Sequence, residues 1–246
     1  MIEWQDDGIV LSARPHGETA AVVSLLTRDH GRYAGLLPGG QSRSRAPYIQ
    51  PGQQVETNWR ARLADQLGNY AIEPAAPYPA AVLDDALALA GLTAACAVAD
   101  AALPEREPHG AVYEGLLALI DTLNSPAWPY AYVRWELGLL REVGYGIDLS
   151  CCALTGEVDS PDSPLSYVSP RTGRAVSAAA AGPYKEKLLK LPAFLCGHGQ
   201  VDAQSLRDGM KLTGFFLERS VFAVHHIPLP AARQRLTERL FELEEA

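Results

Sequence analysis

Arginine and aromatic residues are concentrated between residues 28 and 62, in the segment RDHGRYAGLLPGGQSRSRAPYIQPGQQVETNWRAR. Six arginines lie in this segment against two acids, Asp29 and Glu56, although the chain as a whole has a formal net charge of -8. Guanidinium groups bind phosphates through paired hydrogen bonds, and aromatic rings stack on bases. The segment therefore predicts a surface that follows a nucleic-acid backbone. The alternative is a solvated basic face, which is the usual role of a charge run.

The candidate nucleic-acid contacts are arginines and tyrosines of the first 62 residues. They are Arg14, Arg32, Tyr33, Arg43, Arg45, Tyr48, Arg60 and Arg62. Arg43 and Arg45 lie in a Ser/Gly/Pro-rich loop, where burial is unfavourable, so they are the strongest candidates for phosphate contact. Arg60 and Arg62 share one face of a strand and Trp59 takes the other. Trp59 is therefore either barrel core or a stacking platform.

Short extended segments must position these residues. Alternating apolar and polar residues, separated by Gly, Pro, Asn and Asp, predict five strands before residue 76: residues 9–14, 19–27, 32–37, 54–63 and 66–73. Five short strands fit a small OB-type barrel better than a sandwich, which needs more strands. The sequence predicts an α+β protein in which this barrel precedes a mostly helical domain.

A proline-rich linker, PAAPYP at residues 74–79, separates the two predicted domains, 1–76 and 80–246. After the linker the apolar period changes from two to about 3.6. Helices are predicted over residues 81–103, around 113–123 and 132–144, from 206 to 221, and after Pro230. Residues 150–183 are rich in Ser, Pro, Gly and Thr, which predicts an irregular region.

The middle of the chain is acidic, with 3 basic and 13 acidic side chains between residues 81 and 170. Arg134 and Arg141 lie seven residues apart in this segment, roughly on one helix face. They could anchor the carboxylate of a partner's peptide tail in a groove between helices, although a local salt bridge is the commoner use.

The sequence predicts neither an enzyme nor a metal site. It has no P-loop, G-x-S-x-G, H-E-x-x-H or G-x-G-x-x-G motif, and its four cysteines include no C-x-x-C. No secretory signal and no apolar run of membrane-spanning length is visible, so a reducing cytoplasm is expected. A monomer is the default, because no interface pattern stands out.

Several segments, in order, resemble the bacterial RecO family of recombination mediators. The segments are GIVLSARPHGETAAVVSLLTRDHGRYAGLLPGG, QSRSRAPYIQPGQQVE, RWELGLLREVGYGIDLSCCALTGE and LTGFFLERSVFAVHHIPLPAAR. The resemblance covers essentially the whole chain. It implies an OB-fold, a helical domain and DNA work without catalysis.

The chain departs from this family at the zinc knuckle that many relatives carry. Cys152 stands at the first ligand position, but Thr155, Ser177 and Ala180 stand at the other three. One thiolate cannot hold zinc, which needs four ligands in a structural site. We therefore expect no cofactor, and a knuckle loop that is stabilised by packing.

The resemblance implies binding of single- and double-stranded DNA, annealing of complementary strands, and loading of RecA on gapped DNA together with RecR. It also implies binding of the C-terminal tail of single-strand binding protein, in association with the nucleoid. The four lysines of the last segment would extend the DNA surface: Lys185, Lys187, Lys190 and Lys211. Two other readings stay open: an OB-fold RNA-binding module, and an acidic helical protein-interaction scaffold.

Overall fold

The computed structural model describes residues 1–242, which form two compact units. The first unit comprises Met1–Trp128 and Pro230–Glu242, and the second comprises Pro129–Leu229. The predicted domain boundary at residues 76–80 lies where the strands end and the helices begin. That it separates two domains remains a prediction. The predicted second domain extends to residue 246, so its last four residues lie outside the described part.

The first unit contains a closed five-stranded barrel with the strand order β1-β2-β3-β5-β4. Its strands are β1 (Ile2–His16), β2 (Ala20–Thr27), β3 (Gly31–Leu37), β4 (Gln54–Ala61) and β5 (Asn69–Pro74). Strands β3 and β5 pair in parallel, and the other pairs are antiparallel. The predicted α+β class with an N-terminal OB-type barrel is confirmed.

Alternation along the strands fills the barrel. In β4, Val55, Thr57 and Trp59 are buried, whereas Glu56 and Arg60 on the alternate face are exposed. The Trp59 side chain is 0% exposed and its Nε1 donates a hydrogen bond to the carbonyl of Leu67 at 2.9 Å. Trp59 is therefore core, because a buried indole is stable where its N–H finds an acceptor.

Strand β1 is longer than the sequence predicts. It begins at Ile2, pairs with β4 through its first half and with β2 through its second, and shifts register between Val10 and Ser12. The opening IEWQDD is mostly polar and does not look like a buried strand. It forms one because half of its residues face solvent on the outside of the barrel.

Helices α1 to α7 follow the barrel. They are α1 (Ala81–Asp84), α2 (Ala86–Ala102), α3 (Gly110–Thr122), α4 (Trp128–Glu142), α5 (Ala178–Ala181), α6 (Ala203–Phe216) and α7 (Ala231–Glu242). The Asp85 carboxylate caps α2 by accepting hydrogen bonds from the amides of Leu87 (2.7 Å) and Ala88 (3.1 Å). In the first unit, α7 packs along α2.

The second unit also has a three-stranded sheet in the order β7-β6-β8: β6 (Leu165–Val168), β7 (Ala175–Ser177) and β8 (Leu189–Lys190). Within the predicted irregular region 150–183, the structure therefore adds β6, β7 and α5. These elements are three or four residues long, which is too short to show a period in the sequence. Across residues 1–242, no helix is both long and apolar enough to cross a membrane.

Candidate nucleic-acid interface

Residues 38–53 connect β3 to β4 and carry Arg43, Arg45 and Tyr48; we call them the basic loop. Gln41 ties this loop to the β1–β2 turn, because its amide donates to the carbonyl of Thr19 at 3.0 Å and its Nε2 donates to the carbonyl of Ala20 at 2.8 Å. The amides of Arg45 and Ala46 both donate to the carbonyl of Ser42 at 3.0 Å. The loop is thus held in shape before any ligand arrives.

The side chains of Arg43 and Arg45 are exposed on this loop. Arg45 Nη1 reaches the carbonyl of Pro38 at 3.3 Å, and neither guanidinium has a carboxylate within 4.0 Å among the described residues. Two uncompensated guanidinium groups two residues apart suit adjacent phosphates of one strand.

Tyr48 lies on a 3-10 turn, Ala46–Ile49, that follows the two arginines. Ile49 inserts into the barrel core while the Tyr48 side chain stays 40% exposed. Tyr48 lines an apolar cleft of about 450 Å³ with Pro47, Gln53, Pro74, Ala75, Ala76, Pro77 and Tyr78. An exposed ring beside two arginines is the arrangement that single-strand binding surfaces use to stack bases.

Tyr78 lines this cleft, and its hydroxyl donates a hydrogen bond to the carbonyl of Pro51 at 2.9 Å. Burial raises the pKa of the Tyr78 phenol to about 12, so the hydroxyl keeps its proton and remains a donor at neutral pH. This hydrogen bond joins the linker after β5 to the end of the basic loop.

The loop between β4 and β5 reaches the same end of β3, because the amide of Leu36 donates to the carbonyl of Gly68 at 3.0 Å. Arg62 is exposed at the start of this loop. Arg106 holds the loop by donating to the carbonyls of Ala64 and Gln66. The sequence analysis did not identify Arg106, and nothing in the segment PEREPHG signals this role.

Of the predicted contacts, Arg32 and Tyr33 are little exposed and have partners within the first unit. Arg32 Nε donates to the carbonyl of Leu103 at 2.7 Å, and its Nη1 lies 3.6 Å from Asp100 and 3.4 Å from Glu105. The Tyr33 side chain is 7% exposed inside the barrel, with the Arg106 guanidinium 4.9 Å from its ring centroid. Arg32 therefore caps the C-terminal end of α2, and Tyr33 is part of the barrel core.

Helix α2 covers the outer face of β2. Asp100 accepts hydrogen bonds from Ser12 (2.7 Å) and Ser24 (2.6 Å), and Leu26 on the same strand face is fully buried. OB-folds commonly bind oligonucleotides across strands 2 and 3. Since α2 covers β2 here, the outer face of that strand is not open to an oligonucleotide.

Arg14 and Arg60 have different surroundings. Arg14 is exposed near the end of β1, opposite Val22. Arg60 is exposed on β4 but pairs across the strands with Glu3 of β1, whose negative charge offsets the positive charge of Arg60. Of these two arginines, Arg14 has the less acidic neighbourhood on its paired strands.

The outer face of β1, β4 and β5 forms an acidic cleft of about 590 Å³ that the sequence analysis missed. Its charged lining residues are Asp6, Asp7, Arg28, Asp29, Glu56 and Glu73. The acids come from three separate strands and a turn, so only the strand pairing brings them together. A face with this charge repels phosphate, so it is not a candidate nucleic-acid surface.

In the second unit, both proposed tail anchors lie exposed on α4. Arg134 Nη2 donates to the carbonyl of Phe194 at 2.7 Å, and its guanidinium lies 5.9 Å from the Phe194 ring centroid. The Arg141 guanidinium has no hydrogen bond or ion pair to another of the residues that the structure describes. Of the two, Arg141 is the more available to a carboxylate.

The residues at the four knuckle positions lie together although they cannot form a zinc site. The Cys152 sulfur accepts a hydrogen bond from the amide of Ser177 at 3.3 Å, and the Ser177 hydroxyl accepts one from the amide of Ala180 at 3.3 Å. Burial raises the pKa of the Cys152 thiol, but hydrogen bonds from the Thr155 side chain and nearby amides outweigh it and lower the pKa to about 6. Hydrogen bonds, and not packing alone, therefore shape this loop.

One thiol, two hydroxyls and a methyl group do not suit zinc, which prefers thiolate and imidazole ligands. Within residues 1–242, no group of three or more His, Cys, Asp and Glu side chains is placed to hold a metal ion. The absence of a cofactor stays a prediction that rests on these donor types.

Both the N-terminal and the C-terminal part of the chain match known protein families. Residues 1–78 match the family model described as Recombination protein O N terminal, and residues 83–226 match Recombination protein O C terminal. The DNA repair protein RecO of Rhodospirillum centenum is 53% identical to this chain. The alignment covers 97% of this chain and 94% of the relative's length. The protein of that name from Phenylobacterium zucineum is 52% identical over 98% of both chains. The chain therefore belongs to the RecO family of recombination proteins.

Proposed function

We propose that this chain is a DNA repair and recombination mediator that binds DNA through the basic loop and anneals complementary strands without catalysis. The observation that supports the proposal most directly is the grouping of Arg43, Arg45 and Tyr48 on one hydrogen-bonded loop beside an apolar cleft. Guanidinium groups would hold the phosphates, and Tyr48 would stack a base. Arg62 and Arg14 would extend this contact, and the same phosphate contacts would serve double-stranded DNA.

The mediator role would involve the partners that the family resemblance implies: RecR, RecA and the C-terminal tail of single-strand binding protein. In this proposal Arg141 binds a carboxylate of that tail, and RecA is loaded on gapped DNA at the nucleoid. An exposed guanidinium without an intramolecular partner is suited to a bidentate carboxylate contact.

The test is binding of labelled single-stranded DNA across a salt series, measured by fluorescence anisotropy. Contacts with three to five phosphates should give a log-log slope of roughly -2 to -3.5. The double variant Arg43→Glu with Arg45→Glu should bind more weakly and show a smaller salt slope than the wild type. Its charge-matched control is Arg171→Glu with Arg235→Glu, which reverses two exposed arginines outside the barrel.

Unchanged affinity in the basic-loop variant would place the DNA contact elsewhere. Competition between matched DNA and RNA oligonucleotides separates the mediator from an RNA-binding module, since an RNA-binding site would exploit the 2′-hydroxyl. No binding of either, even at low salt, would leave the protein-interaction scaffold as the better account.

A further inference from the structure

All four lysines of the chain lie between residues 185 and 211, whereas every other basic side chain, apart from the histidines, is arginine. Three of them, Lys185, Lys190 and Lys211, line one cleft of about 390 Å³ in the second unit, which we call the lysine cleft. The fourth, Lys187, lies with Lys185 on the 3-10 segment Gly182–Lys187. These lysines form a second concentration of cations, distinct from the arginines of the basic loop.

The lysine cleft is built between the small sheet and α6. Strand pairing sets Tyr167 of β6 opposite Lys190 of β8, and α6 contributes Gln204, Asp208 and Lys211. Because these residues come from separate elements with their own hydrogen bonds, the fold brings the three lysines to one cleft before a ligand binds.

Charge pairing inside the cleft is incomplete. Lys190 Nζ lies 3.6 Å from Asp208 Oδ2, and Gln204 Nε2 donates to Asp208 Oδ1 at 3.0 Å, so Asp208 is fully engaged. Lys185 and Lys211 are exposed and have no carboxylate within 4.0 Å among the described residues. Glu186 is the other acid that lines the cleft.

An aromatic face accompanies the free cations. Lys185 Nζ lies 5.9 Å from the centroid of the Tyr167 ring, which is itself partly exposed in the cleft. Lysine ammonium groups bind phosphate as point charges, and an aromatic ring in the same cleft can stack a base. This combination fits a short stretch of single-stranded nucleic acid.

We propose that the lysine cleft is a second contact for single-stranded DNA, separate from the basic loop. The proposal rests on the proposed function, because it gives the annealing activity a place for a second strand. Two sites on one protein would raise the effective concentration of one strand near the other.

The chain's own composition supplies a specific readout. Acetylation with an amine-reactive reagent can modify only the N-terminus and these four lysines. We expect a saturating oligonucleotide of about 12 nucleotides, the length that one such surface covers, to lower the acetylation of Lys185 and Lys211 by at least about fivefold. Mass spectrometry measures each lysine separately, and the same protection should persist in Arg43→Glu with Arg45→Glu.

A variant tests the same site by function. Lys185→Glu with Lys211→Glu leaves the Lys190–Asp208 pair in place and should reduce the magnitude of the salt slope by roughly 1.4, or about 0.7 for each lost phosphate contact. Strand annealing should fall by about tenfold or more. Lys187→Glu is the control for one reversed charge, because Lys187 is exposed on the same segment but does not line the cleft.

Unchanged lysine acetylation in the presence of bound DNA would overturn this inference and leave the proposed function standing. Equal protection by inorganic phosphate, at the same phosphate concentration as the oligonucleotide, would also overturn it, since the cleft would then be a general anion site. If the wild-type protein binds no DNA at all, the proposed function is wrong, and the second contact with it.

Discussion

Arg32 closes the C-terminal end of helix α2 by donating its Nε to the carbonyl of Leu103 at 2.7 Å. The same guanidinium lies 3.6 Å from Asp100, whose carboxylate also accepts hydrogen bonds from Ser12 and Ser24. An arginine that looks like a DNA contact in the sequence therefore joins the barrel to its covering helix. Cations at a helix C-terminus are stabilising, and bonds to charged groups are stronger than neutral ones.

Replacing Arg32 should change stability and not DNA binding. Arg32→Ala leaves the Leu103 carbonyl and Asp100 with fewer partners, which should lower the free energy of unfolding by about 1–3 kcal/mol. Each kcal/mol corresponds to roughly 2–4 °C in Tm for a chain of this size. Thermal denaturation measures the loss. An unchanged Tm together with a reduced salt slope for DNA binding would restore Arg32 to the interface.

Tyr48 should contribute to affinity by stacking. Tyr48→Ala removes the exposed ring, and a lost base–aromatic stack costs about 1–3 kcal/mol, or roughly 5- to 150-fold in Kd. Tyr48→Phe keeps the ring and should bind single-stranded DNA almost as the wild type does. Anisotropy titrations at one salt concentration compare the three proteins. Equal affinity in the alanine variant would mean that no base stacks at this position.

The Cys152 thiol should ionise near pH 6. Its folded pKa is about 6, whereas burial raises the pKa of Cys96 to about 12 and of Cys196 to about 11. Thiolate absorbance near 240 nm should therefore rise with a midpoint near pH 6, and this step should vanish in Cys152→Ser. A wild-type titration without a step below pH 8 would show that the hydrogen bonds do not hold a thiolate.

The same pKa predicts the direction of a stability change. Because the folded pKa of Cys152 lies below that of an unfolded cysteine, about 8.5, its thiolate stabilises the fold fully above pH 8.5. This contribution declines as the pH falls and is lost below about pH 6. The difference in stability between wild type and Cys152→Ser, measured by urea denaturation, should shrink from pH 8.5 to pH 5.5.

Gly31 should tolerate no side chain. A Cβ at this position would lie 1.8 Å from the carbonyl oxygen of Glu107, and the backbone φ is +73°. Gly31→Ala should therefore destabilise the first unit by the cost of a positive φ, about 1 kcal/mol, plus a clash of roughly 1–3 kcal/mol. Gly17→Ala is the control, since φ there is +59° and no atom lies within 4 Å of the added Cβ. Equal losses of stability in the two variants would contradict the close approach.

The order of elements could be read from the sequence because local periodicity reports which side of each strand or helix is buried. Alternation in QVETNWRA predicted β4, and the apolar period after the proline-rich linker predicted α2, α3 and α4. The Ser/Gly/Pro composition around Arg43 and Arg45 likewise predicted an exposed loop. Each of these features depends on neighbours within a few residues.

Only the tertiary structure decided which arginines are free. Arg32 and Arg43 have the same chemistry in the sequence, but Arg32 meets Leu103 and Asp100, about seventy residues away along the chain. Strand pairing also brings acids from β1, β4 and β5 into one cleft, and sheet and helix bring three lysines into another. The sequence by itself determined the barrel strands, the longer helices and the exposed basic loop, because these follow from local pattern, whereas the short elements β6, β7 and α5 show no period. The free and neutralised charges depended on long-range contacts, which periodicity does not encode.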